Sequence, residues 1–235
     1  MLYRIYKLGD VFKVVFFKFD TDKKSDYIAL TEKEEKNTEK LDNNLCRARS
    51  RIRELALCND WSHFVTLSLN GEKIDRYDLD GYIKRLGEWK SNYNRKYKTC
   101  LKYLLIPEQH KDGAWHMHGL MNGLHPDSLV INEHGYLDMP FYRDRFGYIS
   151  LSPIKSPKKI ASYITKYVAK ALQATAIDLC KHSFYSSQGL KGAELIHEDF
   201  APGIPENVWE NEFVGIKQID SYEDLTTFMK GFVTT

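Results

Sequence analysis

The sequence predicts an α+β fold, a central antiparallel sheet with helices packed on it. Three observations carry that prediction. β-rich apolar runs occur at 63–69, 101–108 and 115–121, and turn-forming residues follow the first two. Helical spacing of apolar residues marks 79–98 and 157–172. The elements alternate as strand–helix–strand–strand–helix–strand, an order that suits one sheet carrying helices on a face.

Each element follows from its residues. Residues 3–19 alternate, with Leu8-Gly9-Asp10 as a turn between Tyr3–Lys7 and Val11–Phe19, which predicts a hairpin. From about Glu32 to Cys58 the pattern is helical, with Leu41, Leu45, Ala48, Ile52, Leu55 and Ala56 recurring at threes and fours. His63–Leu69 is a strand closed by Asn70-Gly71, and Leu79–Lys98 is a helix with a basic exposed face. Leu101–Glu108 and Trp115–Met121 form a hairpin across a loop containing Lys111-Asp112-Gly113. Tyr148–Leu151 is a further strand. Ser156 as N-cap and Pro157 at the first helical position open a helix that runs to about Leu172. A last strand near His182–Ser186 completes the sheet.

Length and composition bound the function. The chain has 235 residues, 43% hydrophobic and 28% charged, enough for one large domain or one domain with additions. The organisation expected is an N-terminal hairpin and basic helix over 1–59, a main domain over 60–190 and an acidic extension over 191–235. No apolar run approaches the ~20 residues that span a bilayer, and Met1–Lys7 lacks a secretory pattern, so a cytoplasmic protein without a membrane partner is expected. The four cysteines make no CxxC pair, which excludes a zinc ribbon, and no GxxxxGK[ST] provides an ATP motor.

A net charge of +2 argues at first against a nucleic-acid binder. It is an average. Lysine and arginine crowd 47–53, 84–102 and 155–170, the last without an acid, while acidic residues crowd the C-terminal part. Within these basic segments Arg47, Arg51, Lys155, Lys158 and Lys159 are the candidates for phosphate contact. Arg47, Arg49, Arg51 and Arg53 spread around their helix, a pattern that suits a solvated surface as well as a phosphate-binding one.

Two constellations carry chemistry. His116 and His118 stand two apart on a strand, so both imidazoles leave the same face about 7 Å apart. Glu108 ends the preceding strand, and a short loop folds it back beside them. Two imidazole nitrogens and one carboxylate suit Mn²⁺ or Mg²⁺ acting on phosphate, although the ligand types alone also admit zinc. In the helix after Pro157, Ile160, Ala161, Ile164, Val168, Ala171 and Leu172 form an apolar arc. Tyr163 and Tyr167 sit one turn apart on its edge, with Lys159, Lys166 and Lys170 just beyond. Such tyrosines can simply pack at a core edge beneath snorkelling lysines. Alternatively, a phenolic oxygen attacks a phosphodiester beside a metal and a cation. The joint occurrence of metal cluster and YxxKYxxK favours the second.

These residues resemble the HUH endonuclease superfamily, in particular rolling-circle replication initiators of small phages and plasmids. Phe64-Val65-Thr66-Leu67-Ser68, His116-Met117-His118 and Tyr163-Ile164-Thr165-Lys166-Tyr167-Val168-Ala169-Lys170 look like its three motifs, in order, over residues 60–172. The resemblance implies the ferredoxin-like (RRM-like) nickase sheet, with the tyrosine helix laid across the histidines. It also implies Glu108, His116 and His118 as ligands of Mn²⁺ or Mg²⁺, Tyr163 or Tyr167 as nucleophile, and Lys166 and Lys170 as groups that steer phosphate. The activity implied is nicking and rejoining of single-stranded origin DNA through a 5′-phosphotyrosine, leaving a free 3′-OH primer. Partners would be that DNA and a host helicase and DNA polymerase in a bacterial cytoplasm. A relaxase or transposase of the same superfamily is the alternative, and outside that chemistry a non-catalytic single-stranded nucleic-acid-binding module.

Overall fold

A computed structural model describes residues 1–18, 46–155, 160, 183–210 and 214–233. The chain divides into two compact units, one formed by 39–190 and the other by 1–38 together with 191–235. The α+β class expected from the sequence holds, with antiparallel pairing throughout the described strands. A second five-stranded sheet accompanies the expected one.

The sheet of the 39–190 unit is built from β3 (His63–Ser68), β4 (Lys102–Gln109), β5 (Trp115–Asn122), β8 (Ile149–Pro153) and β9 (Tyr185–Ser186), in the order β8-β3-β5-β4-β9. Helix α2 (Leu79–Tyr97) joins β3 to β4, and β5 lies between those two strands. That is the split βαβ arrangement of a ferredoxin-like sheet. Between β5 and β8 the chain forms a two-stranded ribbon, β6 (Val130–Ile131) and β7 (Leu137–Asp138), and the one-turn helix α3 (Pro140–Arg143). Asp78 caps α2 by accepting the Gly81 N–H at 2.9 Å, and Lys98 ends it in the left-handed conformation at φ 50°. Tyr82, Leu86, Trp89 and Tyr93 recur at fours and threes and are buried along one stripe.

Strand alternation sends two sets of side chains to opposite faces. Val65 and Leu67 of β3, Tyr103 and Leu105 of β4, and Met117 and Met121 of β5 pack with the α2 stripe. Leu104, Ile106 and Leu120 face the other way. They meet Ile52, Leu55 and Ala56 of helix α1, which covers 46–57, together with Trp61 and Ile160. Helices therefore cover both faces, where the sequence reading puts them on one. The part of the expected helix before residue 46 lies outside the described residues. Gly119 permits a close approach of β5 to β4, because a Cβ there would collide with the Leu104 carbonyl oxygen.

The second unit pairs the N-terminal hairpin with strands from the far end of the chain. β1 (Leu2–Leu8) and β2 (Val11–Phe17) lie beside β10 (Glu194–Phe200), β12 (Val214–Ile219) and β11 (Trp209–Glu210), in the order β10-β1-β2-β12-β11. The linear segmentation keeps this hairpin with the basic helix and apart from 191–235. Hydrogen bonding groups it instead with the acidic segment, and α1 falls in the other unit. Tyr3, Ile5, Phe12, Val14 and Phe16 alternate inward and meet Ile219 and Leu225. Helix α4 (Tyr222–Val233) starts at Ser221, whose hydroxyl accepts the Asp224 N–H at 3.0 Å and donates to the Asp224 carboxylate at 2.7 Å. No helix among the described residues is long and apolar enough to cross a membrane.

Candidate metal centre

The β4–β5 hairpin builds the centre. Its turn runs through Gly113 at φ 87°, a left-handed position that glycine adopts without a Cβ penalty. The Gly113 N–H reaches the His110 carbonyl at 2.9 Å, and the His110 N–H reaches the Ala114 carbonyl at 2.8 Å. The Asp112 carboxylate accepts the Ala114 N–H and pairs with Arg76; with the backbone bond the largest cause, its pKa lies below the ordinary carboxylate value. So tight a turn fixes the register and sets Glu108 directly opposite His116.

Alternation then aligns Glu108 with Leu104 and Ile106, and His116 and His118 with Leu120. All three functional side chains thus leave the face covered by α1 and Ile160, not the α2 face. Glu108 and His116 are each 7% exposed, and His118 only slightly more open. The Glu108 Oε2 stands 3.5 Å from His116 Nε2 and 3.1 Å from His118 Nε2, and the two Nε2 atoms are 2.9 Å apart. One ligand atom from each residue lies within 4.8 Å of the others. Donors held about 2.1 Å from one cation at right angles are about 3 Å apart, so this triad has the spacing of a shared divalent ion. A buried carboxylate is costly without a cation or donors, and a metal bound here would offset that cost.

Two neighbours complete the surroundings. Strand β3 sets Thr66 opposite His118, and the Thr66 hydroxyl lies 3.1 Å from His118 Nδ1. The His110 ring, at the mouth of the hairpin, stands 4.0 Å from the His116 ring, centroid to centroid. The sequence reading assigns neither contact a role. Thr66 belongs to the first motif, but its partner is set by β3–β5 pairing across more than fifty residues.

The remaining sequence-predicted residues divide by position. Arg47 and Arg51 are exposed on α1, and Arg51 pairs with Glu54 one turn on. Lys155 is exposed just after β8. Lys158, Lys159, Tyr163, Lys166, Tyr167 and Lys170 lie outside the described residues. Ile160, from the helix expected to carry the tyrosines, is helical, 4% exposed and clustered with Ile106 and Leu120 on the histidine-bearing face.

No curated protein and no solved structure matches the chain. Residues 62–172 match the family model for the replication-associated protein ORF2, a span that runs from β3 through both histidines to the end of the expected tyrosine helix. That match supports a replication-associated protein of the rolling-circle initiator kind.

Proposed function

We propose that this protein is a rolling-circle replication initiator, an HUH-type tyrosine nickase that cuts and rejoins single-stranded origin DNA. One observation carries the reading. The Glu108–His116–His118 cluster shares its sheet face with buried Ile160, and Ile160 begins the apolar arc of the helix in which the sequence sets Tyr163 and Tyr167. The family match over 62–172 spans all of these residues.

Glu108, His116 and His118 would hold Mn²⁺ or Mg²⁺, which draws negative charge from the scissile phosphate and eases nucleophilic attack on phosphorus. The protein's own groups do the rest. The phenolic oxygen of Tyr163 or Tyr167 gives up its proton and forms a bond to phosphorus. The P–O3′ bond breaks, and the departing 3′ oxygen takes a proton, leaving a 5′-phosphotyrosine and a free 3′-OH. Lys166 and Lys170 hold the phosphate by charge, while exposed Arg47, Arg51 and Lys155 and the neighbouring Lys158 and Lys159 bind the strand's backbone. The phosphotyrosine preserves the energy of the cleaved bond, so the second tyrosine or a new 3′-OH reverses the step and joins ends without ATP. Strand separation and extension of the primer fall to a host helicase and polymerase in the bacterial cytoplasm.

The test is a labelled single-stranded origin oligonucleotide incubated with the protein and Mn²⁺. The expected result is a protein–DNA adduct that survives SDS, disappears on chelation and returns with Mn²⁺. Adducts persisting in a Tyr163→Phe, Tyr167→Phe double variant would reject the nucleophile assignment. Binding without any adduct would reject the enzyme.

A further inference from the structure

The structure assigns Thr66 a role as positioning residue: its hydroxyl sets which nitrogen of His118 carries the proton, and so readies Nε2 as a metal ligand. This rests on the metal centre proposed above.

The geometry has two ends. At Nδ1 of His118 stands the Thr66 oxygen, 3.1 Å away. At Nε2 stand the Glu108 carboxylate, 3.1 Å away, and His116 Nε2, 2.9 Å away. A neutral imidazole carries one proton, and the nitrogen that holds it cannot ligate a metal. If Nε2 holds it, the proton points at Glu108, and Nδ1 must accept from Thr66. If Nδ1 holds it, the proton goes to the Thr66 oxygen and the Nε2 lone pair turns toward Glu108 and His116. A hydroxyl both donates and accepts, so Thr66 satisfies Nδ1 in either state. No proton is gained or lost by the ring in passing from one tautomer to the other.

Strand pairing makes this arrangement rigid. Thr66 and His118 are directly opposed in the β3–β5 register, and β3 is held on its other side by β8. The flanking inward residues Val65 and Leu67 are buried in the core of the opposite face, which fixes the direction of the Thr66 side chain. A histidine ligand oriented through its second nitrogen binds metal better than one left to rotate.

Thr66→Val keeps shape and strand preference while removing the oxygen, and Thr66→Ser keeps the oxygen while removing the methyl. Mn²⁺ binding to the full chain, followed by electron paramagnetic resonance without DNA, is expected to weaken about 10–100-fold in Thr66→Val and to stay within about threefold in Thr66→Ser. Nuclear magnetic resonance of the wild type with Mg²⁺ should show a slowly exchanging His118 Nδ1 proton close to Thr66. Equal Mn²⁺ affinity in wild type and Thr66→Val would overturn the assignment, as would a Thr66→Ser loss as large as that of Thr66→Val. The resonance measurement needs no variant, and a rapidly exchanging Nδ1 proton would overturn it too. Wild type that binds no Mn²⁺ takes down the metal centre itself. Wild type that binds Mn²⁺ and forms no DNA adduct leaves this assignment standing and removes only the nickase.

Discussion

The two units differ in charge and in what they bury. Residues 39–190 hold 23 Lys and Arg against 16 Asp and Glu, a formal +7, whereas 1–38 with 191–235 hold 11 against 16, a formal −5. Among the described residues, every buried polar or charged side chain belongs to the basic unit: Glu108, His116, Ser128, Asp138 and Ser187. The acidic unit buries apolar side chains and keeps its charges outside, as in the Arg4–Glu198 and Lys18–Glu210 pairs. Burying polar groups costs stability unless they find partners. The basic unit gives up some stability for chemistry, and the acidic unit is built for packing.

The comparison breaks if substitutions in the two units have the same consequences. The largest separation is expected at the metal cluster. His118→Ala or Glu108→Ala should lower adduct formation at least about a thousandfold, since the lost charge stabilisation amounts to several kcal/mol. Neither should lower the stability of the acidic unit, which hydrogen exchange of the β1 and β2 amides would report. Loss of that protection in His118→Ala would show that the division fails.

Phe16→Ala is the converse. Phe16 is fully buried in the acidic unit, and its removal leaves a cavity costing about 3–5 kcal/mol of that unit's stability. Mn²⁺ affinity should change less than about twofold. A parallel fall in metal affinity would mean that the two units fold as one cooperative body.

Gly119→Ala sharpens the picture within the basic unit. Its Cβ would collide with the Leu104 carbonyl, between the strands that carry Glu108 and His118. Separation of β4 and β5 should cost about 3 kcal/mol and weaken Mn²⁺ binding together. Thermal unfolding and metal titration on the same sample test that coupling; stability lost with affinity retained would show the triad to be independent of strand spacing.

The same contrast governs what is legible in the sequence. β3, α2, β4 and β5 match expectation to within a residue or two, because local alternation, a helix stripe and a short turn specify them. The Glu108–His116 pairing is legible for the same reason: a brief loop leaves few registers. The Thr66 contact is not, because β3–β5 pairing is a long-range choice that no local pattern states. β10 escapes for a different reason. All seven of its residues, Glu194 to Phe200, are exposed, so no inward set alternates. Its partner β1 lies nearly two hundred residues away, and pairing of that span leaves no periodicity to detect. The basic helix is expected to start near Glu32, in a stretch outside the described residues, and its covering of the histidine face depends on Ile52, Leu55 and Ala56 finding Leu104 and Ile106.

The smallest expected effect lies in pH. His63 begins β3, and burial lowers its pKa below the ordinary histidine value of about 6.5. Between that value and the lowered one, the unfolded chain binds a proton that folded His63 refuses. Stability contributed by this group is therefore complete above the ordinary value and falls as pH drops below it, levelling out beneath the folded value. His63 is half-open, so solvent keeps the effect small. Chemical denaturation at pH 7.5 and 5.5 should show the basic unit losing slightly more stability in wild type than in His63→Gln, which cannot take up the proton. An equal loss in both would place the acid sensitivity elsewhere. A larger loss in His63→Gln would reverse its sign and show that the folded protein, not the unfolded chain, is the better proton binder at this position.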